Sequence, residues 1–224
     1  MNRISIAIDG PGGAGKSTVA KALAGKYGFA YVDTGAIYRT IGLAVLRAGA
    51  SPTDEDQVEP VLRSSSVDLD YDETGLQHML LNGEDVSREI RLPEISSYAS
   101  KVSAHPAVRA ALLELQREQA RRRSVVMDGR DIGTVVLPDA TLKIFLTASP
   151  EVRAQRRYNE LKQRGTPQPY EEVFREMQER DLRDTTRAAA PLKPAPDAVT
   201  VDTSELSFEE VITELSRLVE GKLQ

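Results

Sequence analysis

The 224-residue chain contains no cysteine and no tryptophan, has only two histidines, and draws just 5% of its residues from the aromatic set. Without cysteine, a disulfide framework, a thiolate zinc site, a cysteine nucleophile and thiol redox chemistry are all excluded, which fits a reducing compartment. His78 and His105 are far apart in sequence, with no carboxylates at metal-ligand spacing around them. Scarce aromatics, with no basic stripe interleaved among them, argue against a nucleic-acid groove. No apolar run approaches the ~20 residues of a membrane helix. The start, Met1-Asn2-Arg3-Ile4-Ser5-Ile6, leads into an alternating strand pattern rather than a signal peptide. The expectation is a soluble cytoplasmic protein with neither a membrane nor a nucleic-acid partner.

What is present suffices for one domain. Hydrophobic residues make up 40% of the chain, enough for a sizeable core, and the formal net charge is -5. That charge is unevenly spread. From Asp54 to Glu94 there are 3 basic and 12 acidic residues, so the remainder of the chain is mildly basic and compatible with anionic ligands.

Arg3 to Asp9 alternates apolar residues and breaks at once into glycines, a strand entering a loop. Apolar residues recur at helical spacing from Lys16 to Tyr27, Phe29 to Val32 reads as a second strand ending at Asp33, and Ile37 to Ala48 as a second helix. Between Asp54 and Glu94 the pattern becomes antiparallel, with Val67–Tyr71 alternating and His78–Leu81 followed by the hairpin pair Asn82-Gly83. Helices are expected over Pro93–Ser103 and Pro106–Arg121, and strands over Arg122–Asp128, Leu142–Leu146 and Ala198–Asp202. Charged helices fill Pro150–Thr186 around a break at 165–169, and a last helix runs from Ser207 to Val219. Alternating strands and helices predict a doubly wound α/β sheet of about five parallel strands, with ligand at their C-terminal edges.

The glycine loop carries the chemistry. Gly10-Pro11-Gly12-Gly13-Ala14-Gly15-Lys16-Ser17, followed by Thr18, matches G-x-x-x-x-G-K-[ST] between a hydrophobic strand and a helix. Glycines let successive amides curl around phosphate oxygens, and the helix beginning near Lys16 adds its positive end. Lys16 is placed for the β and γ phosphates and the Ser17 hydroxyl for Mg2+, so ATP or GTP with magnesium is implied. Asp128 ends a hydrophobic strand, where a carboxylate can orient magnesium water, though a plain strand-end turn is an equal reading. The protein-kinase signatures are missing despite Asp128-Gly129-Arg130-Asp131, and no guanine-reading N-K-x-D element is present. Small-molecule kinases of the P-loop NTPase type remain.

Three further motifs, Asp33-Thr34-Gly35-Ala36-Ile37-Tyr38-Arg39, Asp128-Gly129-Arg130-Asp131-Ile132-Gly133-Thr134 and Glu179-Arg180-Asp181-Leu182-Arg183-Asp184-Thr185-Thr186-Arg187, together with the loop, resemble the bacterial cytidylate kinases over essentially the whole chain. The resemblance implies Mg-dependent transfer of the ATP γ-phosphoryl group to CMP or dCMP; a monomer is the expectation for the assembly. It assigns residues 1–33, 122–149 and 188–224 to a core, 34–121 to an acceptor region with an antiparallel insertion at about 62–92, and 150–168 to a helical lid. Arg39, Arg130 and Arg187 match arginines that grip the acceptor phosphate, and Thr34 a Ser or Thr of the acceptor site. Ser100, Arg109 and Asp131 match the readers of cytosine, with Asp131 accepting from the N4 amino group that uracil lacks. Arg180 and Asp184 match ribose contacts. Arg153 and Arg157, at i and i+4, are the favoured lid arginines, with a solvated charged helix face as the competing reading. A kinase for another monophosphate such as UMP, and a non-catalytic nucleotide switch, are the rival functions.

Overall fold

In the computed structural model residues 3–223 are described; Met1 and Asn2, read above as the approach to the first strand, and Gln224 lie outside them. The elements run β1 (Ser5–Asp9), α1 (Lys16–Tyr27), β2 (Ala30–Asp33), α2 (Thr34–Arg47), α3 (Glu55–Ser64), β3 (Val67–Tyr71), β4 (Gln77–Leu81), β5 (Glu84–Asp85), α4 (Pro93–Val102), α5 (Pro106–Arg122), β6 (Val125–Gly129), β7 (Leu142–Thr147), α6 (Pro150–Gln163), α7 (Tyr170–Thr186), β8 (Val199–Asp202) and α8 (Phe208–Leu223). The principal sheet has the order β2-β6-β1-β7-β8. Its parallel register sets Ile8 beside Ile144 and Ile144 beside Val199. β6 is buried at all five positions, which is why it shows no alternation in the sequence. The expected α/β class and five parallel strands are therefore observed. Chain order reverses around β1, so the loops leaving the C-terminal ends of β1, β6 and β7 open at a topological switch point.

The chain divides into two units. One comprises Ile4–Phe29 and the chain from Val126 onward. Its core holds Ile6, Ile8, Leu23, Met127 and Ile144, all essentially inaccessible, with α1 presenting Val19, Ala20, Leu23 and Ala24. After β6 the backbone makes a π-helical turn over Ile132–Val136, in which the Asp131 carbonyl accepts from both Val135 and Val136 and Leu137 donates to Ile132 at 2.7 Å. Nothing in the sequence period announced this turn.

The other unit, Ala30–Val125, packs Ile37, Ile41 and Val45 of α2 with Ile95, Val102, Val108 and Leu112 of α4 and α5. The same cluster includes Met79 and Leu81, the inward face of the antiparallel sheet β3-β4-β5. β3 and β4 pair Val67 with Leu81 and Tyr71 with Gln77. Asn82 and Gly83 turn the chain with φ of 52 and 84, as a two-residue hairpin requires. α3 was not anticipated. Its acidic residues and internal Pro60 mask an apolar row at Val58, Val61 and Leu62, and Asp54 caps it by accepting from Asp56 N–H at 3.1 Å. No helix among the described residues is long and apolar enough to cross a membrane.

Candidate active site

Gly10 follows β1 with φ +148, and a Cβ there would lie 1.9 Å from the Leu146 carbonyl oxygen, so the loop can begin only with glycine against β7. α1 then starts at Gly15 with no side-chain cap and no acidic residue in its first turn. Its orphan amides and positive dipole end are left for an anion. The Lys16 ammonium is buried and folds back to donate to the Pro11 carbonyl at 2.6 Å. Burial, with Arg130 and Arg180 nearby, pushes its pKa well down, against the opposing pull of Asp128 and Asp9. A polyphosphate would offset that cost by supplying the charge the ammonium lacks.

Ser17 Oγ donates to Asp128 Oδ2 at 2.8 Å, while Thr18 stays exposed on the same first turn. No group of three or more His, Asp or Glu among the described residues could hold a metal unaided. One hydroxyl beside one carboxylate is nonetheless an oxygen donor set that fits Mg2+, which keeps several waters and takes its other ligands from phosphate.

Arg153 lies almost wholly buried and braces the loop: Nε donates to Ala148 O at 2.9 Å, and Nη1 to Gly12 O at 3.1 Å and to Asp181 Oδ2 at 2.6 Å. Arg157 pairs with Glu160 on its own helix at 2.9 Å. Sequence reasoning missed a second brace, in which Arg156 donates to the carbonyl and hydroxyl of Thr203, whose own hydroxyl donates to Thr147 O at 3.0 Å and stands 3.4 Å from Ala14 O in the loop. Its partner sits beyond β8, so no local spacing could have indicated it.

Arg130, Asp131, Arg180, Asp184 and Arg187 gather in the same unit as the loop. Arg130 Nε donates to Asp184 Oδ2 at 2.9 Å and Arg180 Nε stands 4.0 Å from that oxygen. Arg187 donates to Asp131 Oδ1 at 3.4 Å and, through Nε, to Ala190 O at 2.7 Å. The three guanidinium groups hold the Asp184 carboxyl below its ordinary range, overcoming a burial effect that works the other way. Three cations against two carboxylates leave the cluster electropositive, suited to a phosphate.

Thr34, Arg39, Ser100 and Arg109 belong to the other unit. Thr34 is buried as the first residue of α2, and Asp33 caps that helix through Ala36 N–H at 2.9 Å. Asp33 Oδ2 also accepts from Arg39 and from Arg91, each at 2.8 Å, and the two cations hold its pKa down despite burial. Arg39 Nε and Ser100 Oγ are buried without a hydrogen-bond partner, as groups awaiting a polar ligand are. Arg109 donates to Ser103 O at 3.2 Å and stacks 5.5 Å from the Tyr38 ring centre. Arg91 and the buried Gln77, which bonds to the Asp33 main chain, were not anticipated, because both lie in the antiparallel insertion or at its end.

The family model described as cytidylate kinase matches residues 6–221. A cytidylate kinase of Caldicellulosiruptor bescii is 49% identical over 218 residues, 97% of this chain and 96% of that protein. One from Caldanaerobacter subterraneus subsp. tengcongensis is 54% identical over 209 residues, 93% and 91% of the two chains. Among solved structures, an uncharacterized protein from Eubacterium ventriosum superposes with a TM-score of 0.52 at 13% identity, covering 98% of this chain and 99% of that one, a likeness of fold.

Proposed function

The chain belongs to the cytidylate kinase family, and from that premise we propose how its residues carry the ATP γ-phosphoryl group to CMP or dCMP. It is a phosphotransferase that makes CDP or dCDP, releasing ADP. The observation that carries the mechanism is a buried lysine in a glycine loop, sharing one unit with an electropositive cluster of three arginines and two carboxylates.

The acceptor is itself a phosphate whose second pKa is about 6, so it is largely dianionic at neutral pH and needs no general base. The obstacle is repulsion between two anions. Gly10 to Gly15 and the first amides of α1 cradle the ATP phosphates, and Lys16 binds the β and γ oxygens. Ser17 would hold Mg2+ directly and Asp128 would hold it through water, and the bound ion would supply neutralisation of phosphate charge. Arg39, Arg130 and Arg187 grip the CMP phosphate, supported by the paired geometry that arginine forks offer phosphate oxygens. Arg153 keeps the loop in shape through Gly12, and Arg157 adds a cation on the next turn of the same helix.

Asp131 accepts from the cytosine N4 amino group, and Ser100 and Arg109 donate to O2 and N3. The orphaned Ser100 hydroxyl supports that role. Arg180 and Asp184 hold the ribose, and Thr34 completes the acceptor site. The lack of cysteine supports a reducing, cytoplasmic setting, and we infer a monomer. Assay of ADP formation with a panel of CMP, dCMP, UMP and AMP tests the reading. CMP or dCMP should lead, and Asp131→Ala should lower kcat/KM for CMP by two orders of magnitude or more while leaving the KM for ATP near that of the wild type. Turnover with AMP and none with CMP or dCMP would overturn it.

A further inference from the structure

Asp9 is the last residue of β1 and is almost wholly buried. Its two carboxylate oxygens accept from consecutive main-chain amides, Oδ1 from Ile132 N–H and Oδ2 from Gly133 N–H, each at 2.7 Å. Those are the first two amides of the π-helical turn Ile132–Val136. A helical turn is ordinarily capped by the side chain of the residue just before its first amide, and aspartate is among the best of such caps. That residue here is Asp131, and its side chain makes no capping bond. Asp131 instead accepts from Arg187, while its carbonyl oxygen takes the amides of Val135 and Val136. The cap comes from a residue distant in sequence, on the strand that leads into the phosphate loop.

We propose that Asp9 is a positioning residue for base recognition: by capping the 132–136 turn in place of Asp131, it keeps the Asp131 carboxylate turned toward the cytosine. Two short charged hydrogen bonds to buried amides are strong ones. Remove them and two buried donors lose their acceptor; the carboxylate at the ordinary capping position, able to take the Gly133 amide in its place, is that of Asp131 itself. Asp9 thereby joins the loop that holds ATP to the residue that selects the acceptor. The proposal rests on the assignment of Asp131 to cytosine, and it adds a residue that touches neither nucleotide.

The test compares kcat and KM for CMP and UMP, with ATP fixed, in wild type, Asp9→Asn, Asp131→Ala and the double variant. Asparagine offers one acceptor oxygen and turns an NH2 group against the second amide. Asp9→Asn should lower the ratio of CMP to UMP kcat/KM by at least tenfold, chiefly through KM for CMP, and change KM for ATP less than threefold. In the Asp131→Ala background the same substitution should leave the ratio unchanged, the non-additivity expected when one residue acts through the other. If the Asp9 variant does not fold, Gly133→Ala tests the same joint. Its methyl would come 3.1 Å from the Lys143 stem and 3.4 Å from Asp9 Oδ2, crowding the carboxylate where it meets the Gly133 amide, and the same loss of selectivity is expected. A wild-type enzyme that prefers CMP combined with an unchanged ratio in the folded variant, or equal losses with and without Asp131, would overturn the proposal alone. A wild type with no preference for CMP would instead overturn the assignment of Asp131 beneath it.

Discussion

Gln77 binds both main-chain polar groups of Asp33: its Oε1 accepts from the Asp33 N–H at 2.7 Å and its Nε2 donates to the Asp33 carbonyl at 3.2 Å. Asp33 in turn caps α2 and holds Arg39. The insertion that carries Gln77 is thus tied to the start of the helix that presents Arg39. Gln77→Leu keeps most of the volume but strands two buried groups of Asp33, each worth about 1–3 kcal/mol when left unpaired. The midpoint of denaturant unfolding should fall accordingly, and KM for CMP should rise while KM for ATP stays put. A variant with wild-type stability would show that water replaces the amide there.

The Ser17 and Asp128 pair predicts a separable effect on magnesium. Asp128→Asn preserves shape and the bond to Ser17 but removes the charge. The magnesium concentration for half-maximal rate should rise about tenfold, equivalent to ~1.4 kcal/mol, with little change in KM for CMP at saturating metal. Titration of the initial rate against Mg2+ measures this. An unaltered magnesium curve would make Asp128 a strand-end residue only.

Asp184 is the shared anion of Arg130 and Arg180. Asp184→Ala leaves guanidinium charge uncompensated in a largely buried place, and losing one partner of such a pair costs about 3–5 kcal/mol. Both stability and CMP affinity should drop. The Asp184 carboxyl is held below its ordinary range, so the stability it gives is present at neutral pH and lost as pH falls through the depressed value. Wild type should therefore lose more stability than Asp184→Ala on acidification below pH ~4, as followed by urea melts.

Asp9 has the opposite sign. Burial raises its pKa from 3.8 to about 6, although the amides of Ile132 and Gly133 and the Lys16 charge pull it down and Asp131 pushes it up. The folded state holds the proton more tightly, so that contribution is present below pH 3.8 and is lost as pH rises toward 6. The stability of wild type relative to Asp9→Asn should fall by as much as about 3 kcal/mol across that window. Parallel pH profiles for the two proteins would contradict the burial argument.

Much of this was legible because local chemistry is written locally. The glycine loop, the hairpin at Asn82-Gly83 and the helix beginning at Pro106 each need their residues at fixed spacing, and each is where spacing put it. What escaped depends on distance in sequence. α3 hid because only Val58 of its row is fully buried. The π-helical turn hid because its cap, Asp9, belongs to the first strand. Arg91 and Gln77 converge on Asp33 from 58 and 44 residues away, which no periodicity encodes. The buried orphans at Arg39 and Ser100 gave residues chosen from motifs a physical reason to meet a ligand.

Transfer rather than hydrolysis is the central claim, and following the label of γ-32P-ATP tests it most directly. With CMP and Mg2+ present, the label should appear in CDP in equal amount to the ADP formed, with negligible free phosphate, and Lys16→Ala should abolish the transfer. Label accumulating as inorganic phosphate at a rate indifferent to CMP would contradict the account.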